Sequence, residues 1–120
     1  MSPIDRSQQP ILSAALTATV GHAVTLTLTV TNASSLPHEL HFSSAQQADF
    51  HASQSGDSAA SWHWADGMSF GQMLTSVSLL PGETLVRTVT LQAPAGTWLV
   101  TGELTSTSHR AEATTIVTVS

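Results

Sequence analysis

The sequence predicts an all-β domain built as an antiparallel sandwich of about eight strands. The clearest evidence is the run from Val24 to Thr31, in which aliphatic residues and threonines alternate without interruption. This is the two-residue period of a strand with one buried face. Turn-forming residues recur at the spacing of a strand plus a loop, and no segment keeps a 3.6-residue apolar period over three helical turns. These observations favour a sandwich with Greek-key connections, and a closed barrel is the alternative.

The same period predicts the other strands. Apolar residues occupy the even positions from Leu12 to Val20, and Gly21-His22 provides the turn that follows. Pro81-Gly82 is a second strong turn signal. Residues 84–91 have the composition of a strand but are mixed in phase, because Arg87 shares a face with apolar residues. Extended segments are predicted at residues 12–20, 24–31, 38–43, 49–53, 62–64, 77–79, 84–91, 98–104 and 113–119.

Composition excludes several classes of function. With 120 residues, of which 41% are hydrophobic, one domain of this size buries about two-thirds of the surface that the unfolded chain exposes. The net charge is −5, and the three basic residues are all arginines. Nucleic acid and basic membrane-surface partners are therefore not expected, because both need clustered cations. The chain has no cysteine, which excludes disulfides and thiolate metal sites.

A single domain is predicted over residues 11–120, behind a flexible tail at residues 1–10. The tail is polar, contains Pro3 and Pro10, and lacks the basic-then-apolar order of a signal peptide. No stretch approaches the ~20 apolar residues that span a bilayer. We therefore expect a cytoplasmic or already processed protein with no membrane partner, and the sequence carries no feature that fixes an oligomeric state.

Residues 49–72 hold most of the aromatic side chains in a chain with three tryptophans, three phenylalanines and no tyrosine. If Trp62, His63 and Trp64 lie on a strand, both indoles point to one face and His63 to the other. Each buried indole brings ~150–250 Å² of surface, so we expect the pair to form part of the core. The alternative is an exposed stacking platform for sugar rings, to which Trp98 would add a third ring.

Histidines and acids suggest a metal site, which we do not favour. His51 and His63 on neighbouring strands, with Asp49 close by, offer the two-histidine, one-carboxylate set that suits Zn, Fe or Cu. Exposed histidines on polar strand faces are the preferred interpretation, and neither a metal nor another cofactor is predicted. Asp49 is expected to cap a turn or to accept a hydrogen bond from a tryptophan N–H.

No catalytic constellation is predicted, so the protein is not expected to be an enzyme. Asp49, His51 and Ser53 alternate on one face. Residues two apart on a strand have Cα atoms ~6.5–7 Å apart and parallel side chains. This geometry does not bring a histidine within hydrogen-bond reach of both partners, as a triad requires.

Seven short motifs in a fixed order carry a resemblance to a known family. They are Thr31-Asn32, Leu40-His41-Phe42, Gln46 followed by Asp49-Phe50, Trp62-His63-Trp64, Phe70-Gly71-Gln72, Leu80-Pro81-Gly82-Glu83 and Gly96-Thr97-Trp98. In this order the chain resembles the Bacillus-type intracellular proteinase inhibitors, or BsuPI domains, over about residues 24–105. The resemblance implies an immunoglobulin-like β-sandwich and inhibition of an intracellular subtilisin-like serine protease.

An inhibitor of this kind usually presents an extended segment on a rigid scaffold. Subtilisin-like clefts generally accept large apolar side chains at the cleaved position and three residues before it, and Phe70 and Met73 have this separation. We therefore expect Phe70, Gln72, Met73 and Leu74 to contact the protease, with Met73 or Leu74 in the primary pocket. The alternative for Phe70 is that it closes one end of the sandwich.

Two other contact loops and two other functions remain open. The loops are Ser55-Gly56-Asp57 and Thr107-Ser108-His109. The main competing function is a non-inhibitory immunoglobulin-like protein-interaction module, since strand edges with few charges pair readily. A carbohydrate-binding module ranks below it.

Overall fold

A computed structural model describes residues 11–54, 61–64, 70–72, 74–92 and 94–119, and none of these residues is helical. Nine strands lie within the described residues, so the prediction of an all-β domain is confirmed. In chain order they are β1 (Leu12–Val20), β2 (Val24–Asn32), β3 (His38–Phe42), β4 (Ala48–Gln54), β5 (Ser61–His63), β6 (Thr75–Leu79), β7 (Thr84–Leu91), β8 (Gly96–Leu104) and β9 (Glu112–Val119).

The strands form three antiparallel sheets. One sheet has the order β1-β2-β7, a second has the order β5-β4-β8-β9, and β3 pairs with β6 in a two-stranded sheet. One contiguous core draws buried side chains from both larger sheets and from the β3-β6 pair. The protein is therefore a layered β-sandwich, an arrangement compatible with the immunoglobulin-like fold that the resemblance implies.

The alternating strand predicted from the sequence is the best-buried element. Val24, Leu26, Leu28 and Val30 of β2 are all buried, while the threonines between them are half-buried. Burying an aliphatic side chain of this size contributes about 1.5–3 kcal/mol. Because β2 lies between β1 and β7, its apolar row forms the centre of one layer.

The end of β2 is held by a buried asparagine. Asn32 Nδ2 donates hydrogen bonds to the Leu36 and Leu79 carbonyls at 2.8 and 2.9 Å, and its Oδ1 accepts from Ser34 N and Oγ. Its backbone carbonyl accepts from Gly82 N at 2.9 Å. Gly82 has a φ of 83°, a conformation that favours glycine in the predicted Pro81-Gly82 turn.

The paired indoles differ from the prediction in depth. Trp62 and Trp64 pack against the core, but each is only half-buried. Trp62 lies on β5, an edge strand of its sheet, so less protein covers it than covers a residue of an inner strand. By contrast, Trp98 on the inner strand β8 is buried, and its Nε1 donates to the Pro94 carbonyl at 3.1 Å.

Candidate functional site

A chain of three aromatic rings connects the core to the predicted contact segment. The Phe50 ring lies 6.0 Å from the Trp64 ring, centroid to centroid and edge-on, and Trp64 lies 5.7 Å from Phe70. The backbone N–H of Trp64 also donates to the Phe50 carbonyl at 2.9 Å. Because Phe50 is fully buried, this chain fixes the start of the segment at Phe70.

The loop between β3 and β4 supports the segment on both sides. Ala45 N donates to the Gly71 carbonyl at 2.9 Å, and Thr75 Oγ1 donates to the Ser44 carbonyl at 3.1 Å. Between these two attachments, Leu74 is 84% exposed. An apolar side chain is thus presented to solvent on a stretch of backbone that is held at both ends.

The predicted contact residues have different surroundings. Phe70 is half-buried, and its ring packs against Trp64. Gln72 and Leu74 are exposed, and Met73 lies outside the described residues. Sequence reasoning missed Ser44 and Ala45, because they act through backbone groups and any residue type supplies those.

Asp49 pairs with a histidine rather than with a tryptophan. Its Oδ2 lies 2.5 Å from His63 Nε2, and its Oδ1 accepts a hydrogen bond from Phe50 N at 2.9 Å. Asp49 is buried, whereas the side chain of His63 is 42% exposed. The pair connects β4 to the edge strand β5 beside the chain of aromatic rings. Its role in the site is therefore to stabilise the pairing of these two strands.

The two histidines of the disfavoured metal hypothesis lie on neighbouring strands. His51 and His63 are directly opposite in the β4-β5 ladder. In the part of the chain that the structure describes, no group of three His, Asp, Glu or Cys side chains has the arrangement of a metal site.

A match to a family model decides what kind of domain this is. The model of the intracellular proteinase inhibitors, BsuPI, matches residues 12–115, which is most of the chain. The chain belongs to the BsuPI family. The resemblance drawn from the seven motifs is therefore confirmed, and the family is one of proteinase inhibitors.

Solved structures similar to this BsuPI domain are parts of much larger proteins. They include a beta-glucosidase from Kluyveromyces marxianus, at 14% identity and a TM-score of 0.46, and a GH3 beta-glucosidase from Bifidobacterium adolescentis, at 18% and 0.46. Each match covers 90% of this chain but only 14% and 17% of the respective enzyme. Likeness at this level supports no inference about function. No curated protein matches the chain.

A second polar cluster of the BsuPI domain lies where the β8–β9 loop crosses β3. Thr107 N donates to the His41 carbonyl at 2.8 Å, and His41 N donates to Ser108 Oγ at 3.1 Å. The His38 and His109 rings meet edge-on, 5.2 Å apart. The candidate contact loop Thr107-Ser108-His109 is therefore engaged with β3, and the other candidate, Ser55-Gly56-Asp57, lies outside the described residues.

We predict that His109 makes the domain less stable in weak acid. Burial lowers the pKa of His109 below its ordinary value of 6.5, and His38 and His41 lower that pKa further. The unfolded chain therefore binds a proton more readily than the folded one as the pH falls below 6.5. Replacing His109 by glutamine is expected to reduce the loss of stability between about pH 8 and about pH 5.5, measured by urea unfolding.

The matched control is His22→Gln, at an exposed histidine in the β1–β2 turn. An equal pH dependence of stability in the wild type and in His109→Gln would contradict the prediction.

Among the residues described, no helix is long and apolar enough to cross a membrane.

Proposed function

We propose that this domain inhibits a subtilisin-like serine protease by inserting the exposed segment around Leu74 into the substrate cleft. The observation that carries the proposal is the 84% exposure of Leu74 between two anchored ends. Among the large apolar side chains that the structure describes, it is the most exposed. In this proposal Phe70 anchors the segment, while Gln72, Met73 and Leu74 contact the enzyme.

The anchoring matters because binding orders a flexible segment at a cost in entropy. Each immobilised side chain costs about 0.5–1.5 kcal/mol on association, and a segment already held in place loses less. The aromatic chain ending at Phe70 and the hydrogen bonds from Ala45 and Thr75 provide this restraint. Burying Leu74 in an apolar pocket would then contribute about 1.5–3 kcal/mol.

The composition of the segment favours an apolar pocket over an acidic one. Residues 68–74 contain neither lysine nor arginine. A trypsin-type primary pocket carries an aspartate that selects a basic side chain, whereas other serine proteases have an apolar pocket. The segment is thus better matched to a subtilisin-like enzyme than to a trypsin-like one. We further propose that the target protease is cytoplasmic, in keeping with the family's description as intracellular inhibitors.

Titration of active proteases with the purified domain tests this function. We expect a subtilisin-type protease to lose activity in proportion to added domain, and the domain to stay intact on a gel. A trypsin-type protease should keep its activity. Rapid cleavage of the domain, or full subtilisin activity at excess domain, would contradict inhibition.

The second candidate is a module that binds another protein without inhibiting it. Leu99 and Ile116 are exposed and directly opposite each other in the β8-β9 ladder. They border a shallow cleft of about 240 Å³ with Ser53 and Thr97. An apolar pair on an outer sheet face is a feature of interaction surfaces. The same protease titration separates the two candidates, because an intact domain that leaves every protease active favours the module.

A further inference from the structure

Strand β7 has one side with which none of the described strands pairs. It lies at the edge of the sheet β1-β2-β7, and in the described ranges no strand pairs with it opposite β2. In an antiparallel ladder, successive residues direct their N–H and C=O groups to alternate sides. Glu83 O accepts from Asn32 N of β2, while Val86 O accepts from the Arg87 side chain. The backbone groups of Val86 and Thr88 therefore face this side.

Residues of β7 and three aromatic residues line a common cleft of about 190 Å³. The lining consists of residues 87–89 of β7, of Phe50, Trp64 and Phe70, and of residues 45–48. An extended chain placed beside β7 would thus have backbone partners on one side and apolar surface on the other, which is the arrangement used in strand-addition binding.

Arg87 supplies a positive charge in the wall of the same cleft. It is half-buried in the apolar row of β7. Its guanidinium donates to Gln47 Oε1 and to the Val86 carbonyl. The distance from Arg87 Nη1 to the Val86 carbonyl oxygen is 2.7 Å. Both acceptors are uncharged, and the ion pairs that the structure describes do not include Arg87. Guanidinium groups bind carboxylates in a bidentate geometry, and such bonds are roughly twice as strong as neutral ones.

We propose that this cleft binds an extended acidic peptide segment of a partner protein. The peptide backbone pairs with Val86 and Thr88, an acidic side chain binds Arg87, and an apolar side chain packs against Trp64 and Phe70. The charge of Arg87 selects the partner: an extended segment with an acidic and an apolar residue two positions apart presents both side chains on the face that meets Arg87 and the aromatic rings. This cleft shares Ala45 and Phe70 with the support of the segment around Leu74, but binding of the acidic peptide does not depend on inhibition.

The test uses two synthetic peptides, acetylated and amidated, in which leucine and glutamate, or leucine and glutamine, lie two positions apart and threonine occupies the positions between them. Their binding to the full chain is followed by NMR of the ¹⁵N-labelled domain. We expect the glutamate peptide to bind at least about tenfold more tightly, the gain of one charge-assisted bond. Its addition should shift the amide signals of Val86 and Thr88.

Arg87→Gln should remove the preference for the glutamate peptide. Arg110→Gln is the matched control, since it removes an exposed arginine in the β8–β9 loop and should keep the preference. Equal binding of the two peptides to the wild type would overturn the proposal, as would a preference that survives Arg87→Gln. If the glutamate peptide binds without shifting the amide signals of Val86 and Thr88, the proposal is also overturned. This outcome is measured on the wild-type domain, so it remains valid even if Arg87→Gln does not fold.

Discussion

Replacing Phe50 by alanine is expected to lower the free energy of unfolding by about 3–5 kcal/mol. The side chain is fully buried on β4, and its ring packs edge-on against Trp64. The opposite residue on β8 is Gly102, where an added Cβ would lie 3.1 Å from the Phe50 ring. The ring therefore fills space that a glycine leaves open, and alanine would leave a cavity that neighbouring backbone cannot close.

The control for this change is Leu99→Ala, on strand β8 of the same sheet. Leu99 is 46% exposed, and substitutions at the surface usually change stability by no more than about 0.5 kcal/mol. Chemical unfolding of the wild type and both variants gives the comparison. If Phe50→Ala were no more destabilising than Leu99→Ala, the buried Phe50 ring would not contribute to the core packing as described above.

The period of two in the sequence was sufficient to predict most of the fold. Val24 to Thr31 alternates without error, and the structure buries its aliphatic row as predicted. Turn residues also carried specific information, because the Pro81-Gly82 turn contains the positive φ that glycine tolerates. These features are local, so they can be predicted without knowing how the strands pair.

Depth of burial could not be predicted in the same way. Alternation assigns Trp62 to a face of its strand, but the edge position of β5 leaves the indole half-buried. A strand's place in its sheet depends on pairing between residues far apart in sequence. For the same reason, the charged residue in the β7 row was apparent from the sequence, but its partner Gln47, forty residues earlier, was not.

The contacts that hold the candidate site in place could not be predicted from the sequence either. Asp49 reaches His63 across the β4-β5 pair, and the sequence brought these residues together only as part of a metal hypothesis. The loop that holds the segment does so through the backbone of Ser44 and Ala45. Backbone hydrogen bonds do not depend on the type of side chain, so they produce no pattern in the sequence. The segment was therefore predicted from its apolar residues alone.

Replacing Leu74 by aspartate is expected to weaken inhibition of a subtilisin-like protease by at least about 100-fold, or about 2.7 kcal/mol. An apolar primary pocket would have to take up a carboxylate, and burying an unpaired charge is costly. Because Leu74 is 84% exposed, the same change should alter the stability of the domain by no more than about 0.5 kcal/mol. Loss of inhibition would therefore report on contact with the enzyme.

The inhibition constants of Leu74→Asp and Leu36→Asp against one subtilisin-type protease test this account most directly. Leu36 is 64% exposed in the loop after β2, so its replacement adds the same charge at a different surface. We predict that Leu74→Asp loses inhibition while remaining folded, and that Leu36→Asp inhibits as the wild type does. Unchanged inhibition by Leu74→Asp would contradict the account, because it would show that Leu74 does not enter the primary pocket of the protease.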